Sequence, residues 1–346
     1  MKNIQKLIKK INSVAAQIKR PVNIMEVCGT HTQVISRYGV REFLPENIRL
    51  LSGPGCPVCV TAQADIDAIV NLALAGIPVA TYGDAIRVPG YFGSLEKARS
   101  LGAKVFPVYS VEEALELKVK YPDLVFFGIG FDTTAPMTAV ALKKGLTVYS
   151  THKLFLPAMD ALLAMGELKI DGFLSPGHVS TIVGLKPYEH MKVAQVITGF
   201  EVEDVLVGLL MLLHQIKGSR RNVENEYARS VRKFGNPKAR QIILEEFKIA
   251  DGNWRGFGMI PGSGLEVKNP KLNAKIKYRE ILSKVDFSRS EKPTGCLCGE
   301  VIRGLIAPAE CPMFGRVCTP ENPYGPCMVS VEGSCNVEYR YAKNKK

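Results

Sequence analysis

The stretch Val22-Asn-Ile-Met-Glu-Val-Cys-Gly-Thr-His-Thr32 joins a short apolar segment to a loop of reactive side chains. Its first six residues predict a short buried strand. Similar apolar segments recur along the chain between segments with helical spacing. We expect further strands at residues 48–51, 77–81, 104–108, 124–129, 146–150, 172–174 and 192–197. Short apolar strands alternating with helices are typical of parallel sheets covered by helices, so the sequence predicts an α/β fold.

The strand-following loops with reactive side chains fall into two sets, and the composition changes after Lys217. We therefore expect three domains. The first is an α/β lobe over residues 1–125 that begins with an amphipathic helix, and the second is an α/β lobe over 126–217. Residues 218–346 should form an irregular third domain, with a polar, mostly helical segment followed by a cysteine-rich segment. A chain of 346 residues is long enough for two or three cores.

The composition is that of an ordinary globular protein, with 46% hydrophobic and 23% charged residues. The most apolar run, residues 205–213, is much shorter than the ~20 residues that span a membrane. The N-terminus lacks the apolar core of a signal peptide. We expect a cytoplasmic protein without membrane association. The net charge of +12 comes from scattered lysines and arginines, which favour a basic solvated surface over nucleic-acid binding.

Cys28 directly follows the first strand, and His31 comes three residues later. A thiol near an imidazole could be a thiolate that binds metal or reacts, because a protonated histidine lowers the pKa of a neighbouring thiol. The alternative is a buried structural cysteine with a hydrogen-bonded histidine.

A second reactive loop, Ser52-Gly-Pro-Gly-Cys-Pro-Val-Cys59, lies between a strand and a predicted helix that begins near Thr61. A Cys-x-x-Cys turn before a helix brings two sulfurs together, and the helix dipole favours their thiolate forms. This arrangement suits a redox dithiol or a soft metal ion. The sequence therefore favours a functional role for Cys56 and Cys59 over a structural one.

Two further loops follow apolar strands. One contains Asp132 and Thr133, which could either bind a ligand or cap the next helix. The other places His178 between a glycine and a valine, which makes it a better functional candidate, although spacing does not define its role. No P-loop, HExxH or GxSxG motif is present, so phosphate-cradling and hydrolase functions lack their usual support.

Six of the nine cysteines lie between residues 296 and 335, among prolines and glycines. A reducing cytosol argues against a disulfide framework, which leaves metal binding or redox chemistry. Structural zinc usually uses paired Cys-x(2–4)-Cys knuckles, but here Cys296 and Cys298 are one residue apart and the later cysteines are widely spaced. Spacing therefore favours an iron–sulfur cluster over zinc.

Five motifs in this chain together resemble the HypD family of maturation factors for [NiFe] hydrogenases. They are Cys28-Gly-Thr-His-Thr32, Gly53-Pro-Gly-Cys-Pro-Val-Cys59, Gly130-Phe-Asp-Thr-Thr-Ala-Pro136, Pro176-Gly-His-Val-Ser180 and the tail from Cys318-Thr-Pro to Cys335. The resemblance covers nearly the whole chain, and every cysteine of these motifs is present.

The resemblance implies a cytoplasmic scaffold that assembles the Fe(CN)2CO unit of the hydrogenase rather than a conventional turnover enzyme. A small partner, HypC, would share the iron, and HypE would deliver cyanide. The protein would be a monomer or a partner-bound heterodimer, with Fe(CN)2CO as transient cargo.

The resemblance also assigns roles to the cysteines. Cys28 would hold the iron with His31 beside it. Cys56 and Cys59 would be a redox-active pair near the same cleft and would also ligate that iron, and His178 would face the cleft. A [4Fe–4S] cluster would be bound by Cys296, Cys311, Cys318 and Cys335. Cys298 and Cys327 would form an additional dithiol or disulfide pair. The alternatives are a cluster-dependent protein-disulfide oxidoreductase and a zinc-stabilised interaction module.

Overall fold

The computed structural model describes residues 2–285 and 295–342. Within them the strands are β1 (Val22–Glu26), β2 (Ile48–Ser52), β3 (Val79–Tyr82), β4 (Val105–Val108), β5 (Val125–Gly128), β6 (Thr147–Ser150), β7 (Gly172–Pro176), β8 (Ala194–Thr198), β9 (Val223–Asn225), β10 (Phe247–Trp254) and β11 (Gly258–Val267). The strands form two parallel sheets and one antiparallel hairpin. The first sheet has the order β2-β1-β7-β8-β9, the second has the order β4-β3-β5-β6, and β10 pairs with β11.

Helices connect the strands and cover the sheets. They are α1 (Lys2–Ala15), α2 (Gly29–Arg37), α3 (Val40–Phe43), α4 (Gln63–Leu74), α5 (Gly83–Ile86), α6 (Leu95–Ser100), α7 (Val111–Lys120), α8 (Ala135–Lys143), α9 (Phe155–Met165), α10 (Gly177–Val183), α11 (Val202–Lys217), α12 (Pro237–Glu246), α13 (Ala274–Lys277), α14 (Arg279–Leu282), α15 (Cys298–Ile302), α16 (Pro326–Val329) and α17 (Ser334–Ala342). Short 3-10 helices lie at Lys186–Tyr188 and Pro308–Glu310.

The predicted α/β fold is confirmed, and each of the eight predicted strands overlaps an observed strand. The strands do not separate into sheets at residue 125, however. β1 and β2 pair with β7 rather than with β3, and β3 pairs with both β4 and β5. The chain leaves the first sheet after β2, builds the second sheet and then returns. Apolar alternation reports that a strand is buried, but it does not identify the partner strand.

The region after Lys217 also differs from the expected mostly helical segment. It contributes β9 to the first sheet, then the helix α12, and then the hairpin β10–β11. β9 has only three residues, all of intermediate burial, so it carries no readable periodicity. The two hairpin strands contain several glycines, which weakens any sequence signal for a strand.

The first sheet is covered on one face by α11, and α1 packs on that helix. Ile11, Val14 and Ala15 of α1 are buried in one cluster with Leu209 and Leu213 of α11. The apolar face of the N-terminal helix therefore belongs to the protein core. None of the helices in the described residues is long and apolar enough to cross a membrane.

The cysteine-rich segment shares its core with the sheets. Cys298, Val301 and Met328 are buried in the same cluster as Met25 and Val27, which belong to or directly follow β1. Helix α17 contacts α2, the helix that follows β1. The C-terminal segment therefore packs directly against the element that carries Cys28.

Substitution of Gly208 by alanine tests the close packing of α11 on the first sheet. A Cβ atom at Gly208 would lie 2.0 Å from Cγ2 of Thr198, a fully buried residue of β8. Helix propensity alone favours alanine by ~1 kcal/mol. We expect the clash to reverse that sign and lower the free energy of unfolding by about 1–3 kcal/mol.

The matched control is Gly83→Ala, because a Cβ atom there meets no heavy atom within 4 Å. Urea unfolding of both variants provides the measurement. An unfolding midpoint for Gly208→Ala equal to or above that of the control would contradict the packing described for α11.

Candidate functional site

A cleft of about 490 Å³ lies at the carboxyl ends of strands from both sheets. The first sheet contributes residues after β1, β2 and β7, and the second contributes residues after β3, β4 and β5. Its wall includes Cys28, Gly55, Asp84, Thr133, His178 and Glu332. Functional groups gather at this end of parallel sheets, so the cleft is the principal candidate site.

Cys28 follows β1 and is the N-cap residue of α2. The predicted loop after the strand is therefore only two residues long, Val27 and Cys28, since Gly29 already begins the helix. Burial raises the pKa of the Cys28 thiol to about 12, against the opposing effect of the backbone N–H groups of His31 and Thr30. The nearby carboxylates of Glu332 and Glu26 raise it further. The isolated thiol is therefore protonated at neutral pH, and a bound cation would be needed to favour the thiolate.

Glu26, a fully buried residue of β1, fixes the backbone around Cys28. Its Oε2 accepts a hydrogen bond from the backbone N–H of Cys28 (3.1 Å), and its Oε1 accepts one from the Thr32 hydroxyl (2.6 Å). Burial raises the pKa of this carboxyl. A role for Glu26 was not predicted from the sequence, because an acidic residue inside an apolar strand belongs to no recognisable motif.

The segments after β1 and β2 touch through their backbones. The N–H of Gly29 donates a hydrogen bond to the carbonyl of Gly55 (3.2 Å). A Cβ atom on Gly55 would lie 2.4 Å from Cα of Cys28, so only glycine allows this approach. Cys56 is the next residue, and the two predicted reactive segments therefore lie side by side.

Cys56 and Cys59 form a disulfide bond and are buried. Pro57 and Val58 between them line the cleft, so the disulfide lies directly behind the cleft wall. The Cys59 sulfur lies 3.9 Å from the carbonyl oxygen of Pro326, the residue before Cys327. The disulfide is thus placed between the cleft and the cysteine-rich segment.

The two predicted histidines have different environments, although both stack on Phe200 with ring centroids 5.1 Å (His31) and 3.8 Å (His178) from it. His178 lines the cleft and is exposed. His31 is fully buried, and its Nε2 lies 2.9 Å from the carbonyl oxygen of Gly199 and 3.1 Å from the Thr198 hydroxyl. Burial lowers the pKa of His31 to about 4, so its ring is neutral at pH 7.

The cysteine-rich segment reaches into the cleft through residues 330–332. Glu332 Oε1 accepts a hydrogen bond from the Thr30 hydroxyl (3.4 Å), and the Ser330 hydroxyl donates one to Asp84 (3.0 Å). Burial raises the pKa of Glu332, and the charge of Asp84 adds to that effect. Sequence reasoning missed Asp84 and Glu332. The one available signal was the position of Asp84 two residues after the apolar strand β3.

Asp132 is placed differently from its neighbours in the Gly130–Pro136 motif. Phe131 and Thr133 line the cleft, but the Asp132 carboxylate is buried behind it and accepts a hydrogen bond from the Phe155 backbone N–H (3.0 Å). Burial raises the pKa of Asp132 to about 6. The carboxylate holds two cleft segments together, which differs from both the ligand-binding and the helix-capping interpretations.

The other cysteines form two groups in the C-terminal segment. The sulfurs of Cys298 and Cys327 lie 2.9 Å apart. Burial raises the pKa of Cys296, and the neighbouring thiols of Cys298, Cys335 and Cys311 add to the effect. Burial likewise raises the pKa of Cys318, again with contributions from Cys335 and Cys311.

Cys311 and Cys335 lie near enough to raise the pKa of both Cys296 and Cys318, so these four soft sulfur ligands occupy one region. In the described part of the chain, no three His, Cys, Asp or Glu side chains converge closely enough to hold a single metal ion. A four-iron cluster keeps its ligands apart at separate corners, so its ligands need not converge in that way. The donor set therefore fits a cluster.

Comparison with known proteins gives one consistent result. A family model described as HypD, hydrogenase formation hypA family, matches residues 2–342. The hydrogenase maturation factor HypD2 of Bradyrhizobium diazoefficiens is 41% identical, with 95% of this chain and 91% of the relative covered. HypD of Rhizobium leguminosarum bv. viciae is also 41% identical (94% and 89% covered). HypD of Escherichia coli K12 is 38% identical (100% and 96% covered).

Substitution of Glu26 by glutamine tests its role in fixing the Cys28 backbone. A glutamine oxygen can accept only one of the two hydrogen bonds. The Thr32 hydroxyl, which can donate to the Cys28 carbonyl instead (3.2 Å), can accept from one of the two amide N–H groups, so the other N–H is left buried. An unsatisfied buried donor costs about 1–3 kcal/mol, and we expect a destabilisation of that size by urea unfolding.

The matched control is Glu46→Gln, which changes an exposed carboxylate near β2 and should alter stability by less than ~0.5 kcal/mol. Equal unfolding midpoints for the two variants would show that Glu26 does not fix the Cys28 segment.

Proposed function

This chain belongs to the HypD family of hydrogenase formation proteins, and from that membership we propose that its cleft is where the Fe(CN)2CO unit of [NiFe] hydrogenases is assembled. One observation carries the proposal. A single thiol, Cys28, lies in a cleft between two sheets, with a disulfide behind the same wall and a cysteine-rich segment reaching into it. This combination supplies a soft anchor for iron and redox-active sulfur within one site.

In this proposal Cys28 holds the iron that is being modified, together with a cysteine of the small partner HypC. Low-spin iron with cyanide and carbonyl ligands favours soft thiolates. The iron charge would offset the burial and the two carboxylates that keep the isolated thiol protonated. The exposed side of the cleft leaves room for the partner and for HypE, the proposed cyanide donor.

Cys56 and Cys59 would supply electrons for cyanide release. Reaction of a thiocyanate, R–S–CN, with two thiols gives R–SH, HCN and a disulfide. The S–C bond breaks, two electrons come from the cysteine sulfurs, and their two protons go to R–SH and to cyanide. The disulfide seen between Cys56 and Cys59 corresponds to the oxidised product of this step. Its return to the dithiol takes two electrons and two protons from an external donor.

The C-terminal cysteines would link that donor to the site. Cys296, Cys311, Cys318 and Cys335 would hold a [4Fe–4S] cluster, which supplies one-electron redox chemistry when bound. Cys298 and Cys327 are close enough for thiol–disulfide chemistry after a small movement of their sulfurs. The contact of Cys59 with Pro326 places this pair next to the Cys56–Cys59 disulfide.

The two histidines would have different tasks. His178 faces the cleft and can exchange a proton or a hydrogen bond with the cargo. Neutral His31 would support the site from behind, because its ring is anchored to the end of β8 and stacks on Phe200.

A second function, reduction of protein disulfides, is favoured by the same Cys56–Cys59 disulfide and its position beside the cysteine-rich segment. That function requires thiol turnover but no iron at Cys28. The two functions therefore differ in the role of one residue.

Substitution of Cys28 by serine separates them. The hydroxyl preserves the size of the side chain but is a hard, poor ligand for low-spin iron. We expect the anaerobic complex with HypC to show cyanide and carbonyl infrared bands for the unaltered chain and none for Cys28→Ser. A thermal unfolding curve serves as the control for folding. Retention of both bands in a folded variant would overturn the assignment of iron to Cys28.

The cluster assignment is tested by iron and sulfide content. Protein purified anaerobically should be brown and contain about four irons and four sulfides per chain. We expect Cys318→Ser to lose most of that iron, and the matched variant Cys327→Ser, also buried in the same segment, to keep it. A colourless protein with bound zinc would support the zinc-stabilised module instead.

A further inference from the structure

A second cavity, of about 320 Å³, lies at the opposite end of the first sheet from the cleft. It is formed by residues just before β1, β7 and β8 and by the turn that follows α11. The function proposed above leaves this cavity unused. The residues that line it suit a different kind of ligand from the iron cargo proposed for the cleft.

The cavity is strongly basic. Its lining includes Arg20, Lys169, Lys192, Arg220 and Arg221 but only one acidic residue, Asp171. Five basic side chains and one carboxylate give the lining a net positive charge, which attracts anions.

The carboxylate of Asp171 already has hydrogen-bond partners within the protein. Asp171 Oδ1 accepts a hydrogen bond from Arg20 (2.8 Å), and its Oδ2 accepts one from the backbone N–H of Asn23 (2.9 Å). Arg220 pairs with Glu224 at 3.5 Å. Lys169, Lys192 and Arg221 form no ion pair with any other residue in the described ranges. Three exposed cations at this cavity thus have no counter-charge among the residues that the structure describes.

The turn that carries two of the arginines has a defined conformation. Ser219 has a φ of 52°, a left-handed conformation that non-glycine residues adopt rarely, typically just past the end of a helix, as here. Its N–H donates to the carbonyl of Ile216 (3.2 Å), and the N–H of Arg220 donates to that of the buried Gln215 (2.9 Å). The backbone thus presents Arg220 and Arg221 at the cavity in a fixed arrangement.

Apolar side chains also line the cavity, among them Leu163, Val193 and Ile216. A ligand that matches both features has several negative charges at one end and an apolar or flat part at the other. We propose that this cavity binds a small polyphosphate anion of the nucleoside di- or triphosphate class. Its concave shape and small volume favour such a molecule over the extended backbone of a nucleic acid.

Isothermal titration of the full-length protein tests the proposal, with ATP, pyrophosphate and adenosine as probes. We expect ATP to bind with one site per chain, more weakly at high salt, and adenosine not to bind. If pyrophosphate binds with the same affinity as ATP, the phosphates alone are recognised. If ATP binds more tightly than pyrophosphate, the nucleoside also contacts the apolar wall. Both outcomes support the polyphosphate site.

The double variant Lys192→Gln/Arg221→Gln should weaken ATP binding about tenfold or more, since it removes two charge-assisted contacts. The matched control Lys97→Gln/Arg99→Gln removes the same charge from exposed positions on α6 and should change binding less than about twofold. Absence of ATP binding, equal losses in the two variants, or tighter binding of a single-stranded RNA than of ATP to the unaltered chain would each overturn the proposal.

Discussion

The contact between the backbones of Gly55 and Cys28 is the constraint on which the candidate site depends. β1 and β2 are neighbours in the first sheet, so the segments that follow them leave the sheet side by side. Because Gly55 has no side chain, its backbone reaches the Cys28 backbone directly. The thiol of Cys28 and the Cys56–Cys59 disulfide are thereby brought to one wall without any long connecting loop.

Residues near the C-terminus complete the same wall of the cleft. Residues 330–332 lie between Cys327 and Cys335, and they contact Thr30 and Asp84 in the cleft. Folding of the cysteine-rich segment and completion of the cleft are therefore coupled. A change in the ligation or oxidation of these cysteines would act on Glu332 through only a few residues of chain. This proximity is a physical link between the two ends of the protein.

Much of this arrangement could be predicted from the sequence, because it is encoded locally. Strands β1 to β8 carry clear apolar patterns, and Cys28, Cys56 and His178 each lie within four residues of the end of a strand. The sheet order could not be read in this way, since β1 pairs with β7 across more than a hundred residues. Glu26 and Glu332 were missed for a related reason: their roles depend on contacts that form only after folding. The inward placement of His31 likewise follows from its bond to Gly199, far away in sequence.

We propose that the cleft holds an iron distinct from the iron proposed for the C-terminal cysteines. Anomalous diffraction at the iron absorption edge, from anaerobic crystals of the partner-bound protein, tests it most directly. We expect two separate iron peaks, one beside the Cys28 sulfur and one surrounded by Cys296, Cys311, Cys318 and Cys335. Iron density confined to the C-terminal cysteines, with none beside Cys28, would contradict it.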